Sequence, residues 1–143
     1  MTKLIIFTKY ARMAEIIARE LSFLKETNIY LITGKTPLRT KILSDFKDSS
    51  KDTILIATDC LSQGQNLQEA SIIIHFDLPW TPASLEQRNG RIDRIGQTQK
   101  LRIINLVTEN TFEERVLNII NEKSDYINKV VNFKDFLSKI LKK

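Results

Sequence analysis

The segment Gln87-Arg88-Asn89-Gly90-Arg91-Ile92-Asp93-Arg94-Ile95-Gly96-Gln97 sets three arginines among amide side chains on one short stretch, a combination suited to gripping phosphate. If the stretch is helical from about Thr81, the 3.6-residue period puts Gln87, Arg91 and Arg94 on one narrow stripe and turns Leu85, Ile92 and Ile95 to the other side. A guanidinium is planar, always charged and offers its donors in a fixed fork, so two of them on a stripe suit a multiply charged phosphate better than two lysines would. The same spacing also describes an ordinary solvated helix face, and spacing alone does not choose between the two. Arg88 leaves the stripe and turns toward the apolar side, where a structural ion pair is expected.

The elements that must position these groups are legible as alternating periodicities. Leu4 to Phe7, Ile29 to Ile32, Ile54 to Ala57, Ile72 to Phe76 and Ile103 to Val107 are runs of strand length rich in β-branched residues, as expected of strands buried on both faces. Between them, Met13, Ile16, Ile17, Leu21 and Leu24 recur at helical spacing. Pro37 to Phe46 opens with proline at a first-turn position, and Thr81 to Arg94 is the arginine-bearing segment. This rhythm predicts an α/β domain, a mainly parallel sheet with helices on both faces and right-handed crossovers. After the last strand, Thr111 to Glu114 reads as a capping box. An apolar stripe of Phe112, Val116, Ile119, Ile120 and Ile127 then predicts a C-terminal helical extension over 111–143 that packs on the domain of 1–110 or on a partner.

With 143 residues, 42% hydrophobic and 27% charged, the chain has the composition of one globular domain. Its formal net charge of +5 leans toward a polyanionic partner. One cysteine, Cys60, and one histidine, His75, leave no basis for a disulfide or a metal site. No signal peptide or membrane span is recognisable, so a cytoplasmic location is expected, or a nuclear one in a eukaryote. In an open parallel sheet, ligands gather at the carboxyl ends of the strands, where Thr8, Thr33-Gly34, Thr58-Asp59 and Asp77-Leu78-Pro79-Trp80 stand. Such residues can donate to phosphate oxygens, or they can simply cap helices and shape turns. Gly34-Lys35-Thr36 imitates the end of a P-loop, but Ile29 occupies the place of the required glycine. Asp77 is followed by no second acid, so the chain carries no complete ATP site.

Phosphate-gripping arginines without a P-loop give the chain its likeness. It resembles the second RecA-like lobe of a superfamily-two helicase, and within that group the SWI/SNF-type ATP-dependent DNA translocases. Residues 87–97 are similar to motif six, with the trailing Arg94-Ile95-Gly96-Gln97 marking the SWI/SNF branch. Residues 57–67 resemble motif five, 74–82 the block that follows it, 29–46 the segment between motifs four and five, and 107–115 a further branch feature.

The resemblance implies a single RecA-like domain and a role for each matching residue. Arg91 and Arg94 would be arginine fingers directed at ATP, which with Mg2+ is held mainly by an N-terminal RecA-like lobe that this chain does not include. Gln87 would stand at the same cleft, and Gly64 and Asn66 near the nucleotide. Thr8, Gly34 and Thr58 would line the track of a nucleic acid, DNA in preference to RNA. Trp80 and His75 are expected as packing residues. Leu61 and Gln65 depart from the family pattern at positions commonly glycine and apolar. Alone, without P-loop and Asp-Glu pair, the chain should be inactive. A DEAD-box-like RNA helicase lobe and a non-catalytic interaction module are the alternatives. Gln87 in place of the usual histidine and the Gly96-Gln97 extension speak against the first.

Overall fold

A computed structural model describes residues 1–61, 65–79, 81–93, 95, 97–106 and 141. Gly64, Trp80 and Arg94, and the expected C-terminal extension apart from Leu141, lie outside the described residues.

The five apolar runs become β1 (Lys3–Phe7), β2 (Asn28–Ile32), β3 (Thr53–Ala57), β4 (Ile72–His75) and β5 (Arg102–Asn105). All neighbouring pairs are parallel, in the order β2-β3-β1-β4-β5. The three inner strands, β1, β3 and β4, are buried along their whole length, whereas the outer strands are only partly covered. Burial on both faces explains why the inner runs show no polar alternation.

Two apolar clusters sandwich the sheet. On one face α1 (Ala11–Glu20) packs Ala14 and Ile17, with Leu21 just beyond it, over Leu4, Ile6, Ile54, Ile56, Ile72 and Ile74; Leu141 joins this cluster. On the other face α2 (Arg39–Asp48) sets Leu43 and Phe46 against Ile5, Phe7, Ile32, Leu55 and Ala57, and the same cluster takes in Leu67, Ala70, Ile73 and Ile92. The faces follow from handedness. The chain moves from β1 outward to β2 through α1 on one face, and every return in the opposite direction uses the other face, as right-handed crossovers require.

Two boundaries differ from expectation. α2 begins at Arg39 rather than at Pro37, because the turn before it is closed by other bonds: Thr36 N–H donates to the Thr33 carbonyl (3.1 Å), and Arg39 Nη2 donates to the Gly34 carbonyl (2.7 Å). Leu38, entering the helix, adopts the left-handed region with φ 55°, a conformation that costs a leucine about 1–2 kcal/mol. The third helix, α3 (Pro82–Asn89), starts where expected. Thr81 caps it by accepting from Ser84 N–H (3.2 Å), and Pro82 takes the first turn, where no donor is needed. It ends at Asn89, short of Arg94, with consequences for the site. No helix among the described residues is long and apolar enough to cross a membrane.

Candidate functional site

The carboxyl ends of β1, β3 and β4 are tied into one polar cap by Arg88, from the last turn of α3. Its side chain is fully buried. Arg88 Nε donates to Asp59 Oδ1 (2.6 Å) and Nη2 to Asp59 Oδ2 (3.1 Å), a bidentate grip on the second residue after β3. Nη1 donates to the Asp77 carbonyl (2.9 Å) beyond β4, and the guanidinium carbon lies 5.5 Å from the centroid of the Phe7 ring. The Asp77 carboxylate in turn accepts from the Thr8 hydroxyl and from Lys9 N–H (2.8 Å), at the end of β1. The expected structural ion pair of Arg88 is therefore present. Asp59 remains 42% exposed in its side chain, so only the cation of the pair is fully stripped of water.

His75 is buried beneath this cap, its ring stacked on Phe7 with centroids 6.0 Å apart. Arg88 Nη1 approaches Nδ1 at 3.4 Å, and Nε2 lies 2.7 Å from Asn89 Oδ1. A guanidinium can only donate, so Nδ1 accepts and Nε2 carries the proton that it donates to Asn89. Burial, reinforced by the charge of Arg88 and opposed by the bond to Asn89, lowers the His75 pKa to about 3. His75 is thus the packed residue expected of it, and neutral. The unfolded chain would protonate this histidine near 6.5 and the folded one would not. Stability is therefore complete above pH 6.5 and falls as the pH drops toward 3, by about 1 kcal/mol or more per pH unit. His75 is the only histidine in the sequence. Melting between pH 7 and pH 5 should show this slope in the native chain and a flatter one in His75→Gln; equal slopes would refute the assignment.

The arginine segment does not form the helical stripe that its spacing suggests. α3 stops at Asn89, Gly90 closes it, and residues 90–93 continue as turns with Arg91 N–H bonded to the Arg88 carbonyl (3.2 Å) and Asp93 N–H to the Asn89 carbonyl (2.9 Å). Two forces oppose a longer helix. Glycine disfavours a helix interior by about 1 kcal/mol, and tertiary bonds claim the backbone beyond it. The Arg91 carbonyl accepts from Leu67 N–H (2.9 Å), while Ile92 drops fully buried into the cluster of Leu67, Ala70 and Ile73. Ile95, expected on the packed side with Leu85 and Ile92, is fully exposed. Gln87 and Arg91 accordingly differ in setting: Gln87 is exposed, and Arg91 is 9% exposed with Nη1 donating to the Gln65 carbonyl (3.4 Å).

Segment 65–70 and the described residues 91–93, 95 and 97 thus lie side by side over the α2-bearing face, and a second set of bonds completes the seam. Gln97 Nε2 faces the carbonyls of Gln68 (3.0 Å), Ala70 (3.1 Å) and Ile92 (3.3 Å), and Gln68 Nε2 donates to the Ile95 carbonyl (2.7 Å). Sequence reasoning used Gln97 only as a branch marker and assigned Gln68 nothing. No periodicity exposes such amides, because their partners are main-chain carbonyls distant in sequence.

The remaining expected site residues fall into two groups. Asn66 is exposed and shapes its own turn, Oδ1 accepting from Gln68 N–H (3.2 Å), and Gly34 is exposed in the turn after β2. Thr8 and Thr58 are buried; their N–H groups bond to the carbonyls of Ala57 and Ile32 (3.1 Å each), and their hydroxyls to Asp77 and to Cys60 Sγ (3.1 Å). Gly64 and Arg94 lie outside the described residues.

Comparison with known proteins places this geometry. Residues 1–96 match the model of the helicase conserved C-terminal domain. The chain is 39% identical over 145 aligned residues to an uncharacterized ATP-dependent helicase, YqhH, of Bacillus subtilis (strain 168), covering 96% of this chain and 25% of that protein. Among solved structures, the C-terminal part of the Fun30 ATPase domain superposes with a TM-score of 0.73 at 27% identity, covering 98% of this chain and 48% of that one. The SWI2/SNF2 ATPase core of Sulfolobus solfataricus, solved in complex with double-stranded DNA, gives 0.66 at 30% identity, with 85% of this chain and 26% of that one covered. The fold is RecA-like, and the chain spans about a quarter of the length of the curated relative it matches at 39% identity.

Proposed function

We propose that this chain, which belongs to the helicase conserved C-terminal domain family, is the second lobe of a two-lobe ATP-dependent translocase on double-stranded DNA. One observation carries the reading. The backbone of Arg91, in the motif-six-like segment, is bonded to Leu67 in the motif-five-like region, and Ile92 is buried between them and the sheet. An arginine that stabilises charge developing on a transferring phosphoryl group works only if its position is set before the reaction. This anchoring supports Arg91 and Arg94 as fingers.

In the full enzyme, ATP with Mg2+ would supply the phosphoanhydride bond whose hydrolysis drives the cycle. The described residues of this lobe fit the phosphate side of that group. Gln87 and Asn66 are exposed amides, while Arg91, 9% exposed with Nη1 on the Gln65 carbonyl, would turn its guanidinium outward when the lobes close. In this reading the magnesium, like most of the nucleotide, is held by the other lobe. Closure would bring Arg91, Arg94 and Gln87 to the cleft, and opening would withdraw them, shifting the lobes along the DNA. For the track, Gly34 is the accessible candidate. Thr8 and Thr58, with their donors engaged inside the lobe, would act by holding the strand ends in place.

The test joins this chain to a matching first lobe and measures ATP hydrolysis with and without double-stranded DNA. DNA-stimulated hydrolysis is expected, with none from this chain alone; an inactive two-lobe protein would favour an interaction module, and stimulation by RNA only would favour an RNA helicase lobe. A methyl group added at Gly34 meets no atom within 4 Å. Gly34→Ala should therefore leave the lobe as stable as before while weakening DNA binding several-fold at moderate salt. Unchanged affinity removes Gly34 from the track.

A further inference from the structure

We infer that Gln97, with Gln68 as its counterpart, is a positioning residue for ATP turnover, holding the arginine-bearing segment in register with the loop of residues 65–70. The inference rests on the functional reading above and deepens it. The carbonyls on either side of position 94 are both taken by glutamine side chains: Ile92 by Gln97 (3.3 Å) and Ile95 by Gln68 (2.7 Å). The same Gln97 nitrogen reaches the carbonyls of Gln68 (3.0 Å) and Ala70 (3.1 Å), while Oε1 accepts from Gln99 N–H (3.0 Å). One amide thus gathers three carbonyls from two segments more than twenty residues apart in sequence, a task that needs two donors on a planar head. None of the described residues of the two segments is in regular helix or strand, so no ladder of backbone bonds among them sets their relative position. Together with the Leu67 to Arg91 bond (2.9 Å), the bond from Arg91 Nη1 to the Gln65 carbonyl (3.4 Å) and the burial of Ile92, these amides hold it.

The substitution that separates positioning from bulk is Gln97→Glu. It keeps the shape but replaces the donor nitrogen with an oxygen, so that a carboxylate confronts three carbonyl oxygens and the segment must shift. Misplacement of a reacting group by about 1 Å costs on the order of 10²-fold in rate. In the two-lobe protein, Gln97→Glu should lower kcat by about 10- to 100-fold, leaving KM for ATP and affinity for double-stranded DNA within about twofold. Lower pH, which protonates the glutamate and returns one donor, should partly restore kcat relative to the parent at the same pH. Gln68→Met, at a partly exposed site that does not threaten folding, should lower kcat several-fold on its own.

Unchanged kcat in both variants, beside a parent that hydrolyses ATP in an arginine-dependent way, overturns the inference and leaves the functional reading intact. A loss of kcat that follows a loss of folded protein in Gln97→Glu, with Gln68→Met at parental rate, overturns it equally. A parent that does not hydrolyse ATP removes both.

Discussion

Changing Arg94 to alanine in a protein that carries both lobes is expected to reduce DNA-stimulated ATP turnover by about 10³-fold or more. The size follows from the chemistry. Phosphoryl transfer leaves little covalent work to the protein, so stabilising charge on the equatorial oxygens is most of what a residue can contribute. Arg94→Lys should recover little, because a point charge on a flexible stem does not reproduce the fork of a guanidinium. Arg91→Ala should also depress kcat. It should in addition lower the melting temperature, because Arg91 is 9% exposed and bonded to the Gln65 carbonyl, beside the Ile92 anchor. Single-turnover hydrolysis and melting of the two variants separate the roles. Turnover within threefold of the parent in Arg94→Ala would remove it as a finger.

Replacing Arg88 by methionine should destabilise the lobe by about 1–3 kcal/mol, the range for losing hydrogen bonds to charged and buried partners, because the carboxylate left behind at Asp59 is 42% exposed and can be hydrated. Methionine fills much of the volume, so the loss is electrostatic and not a cavity effect. It removes the bidentate partner of Asp59, the donor to the Asp77 carbonyl and the group facing His75 Nδ1. Against a total stability of about 5–15 kcal/mol, that is a sizeable fraction, with a fall in melting temperature of roughly 5–10 °C. Arg88→Lys should not rescue it, since one ammonium cannot reach Asp59, Asp77 and His75 together in that geometry. A melting temperature within 2 °C of the native chain, measured for either variant, is the outcome that would refute this account.

The two arginines separate for a reason that spacing could suggest but not decide. Arg88 points off the stripe of Gln87, Arg91 and Arg94 at helical periodicity, and it is the one found in a buried ion pair. The stripe itself fails because it assumes that the helix continues through Gly90. In the lobe, the bond from Leu67 to the Arg91 carbonyl and the burial of Ile92 outweigh that continuation. Ile95, placed on the apolar side by the same assumption, is fully exposed instead.

What the sequence by itself determined is whatever has a short-range cause. The five strands, the presence of α1, the start of α3 and the coverage of both sheet faces are written in runs, caps and periods within a dozen residues. Motif likeness, carried by residues 57–67 and 87–97, likewise points to the family. Only the tertiary structure decided the strand order β2-β3-β1-β4-β5, the meeting of Asp59, His75, Asp77 and Arg88 at one cap, and the seam of Gln68 and Gln97 along segments 65–70 and 91–97. Each of these is a pairing between groups far apart in sequence whose individual preferences are weak. An amide, a carboxylate or a main-chain carbonyl can be satisfied by many partners, water included, and only the packing of the apolar faces determines which one lies within 3 Å.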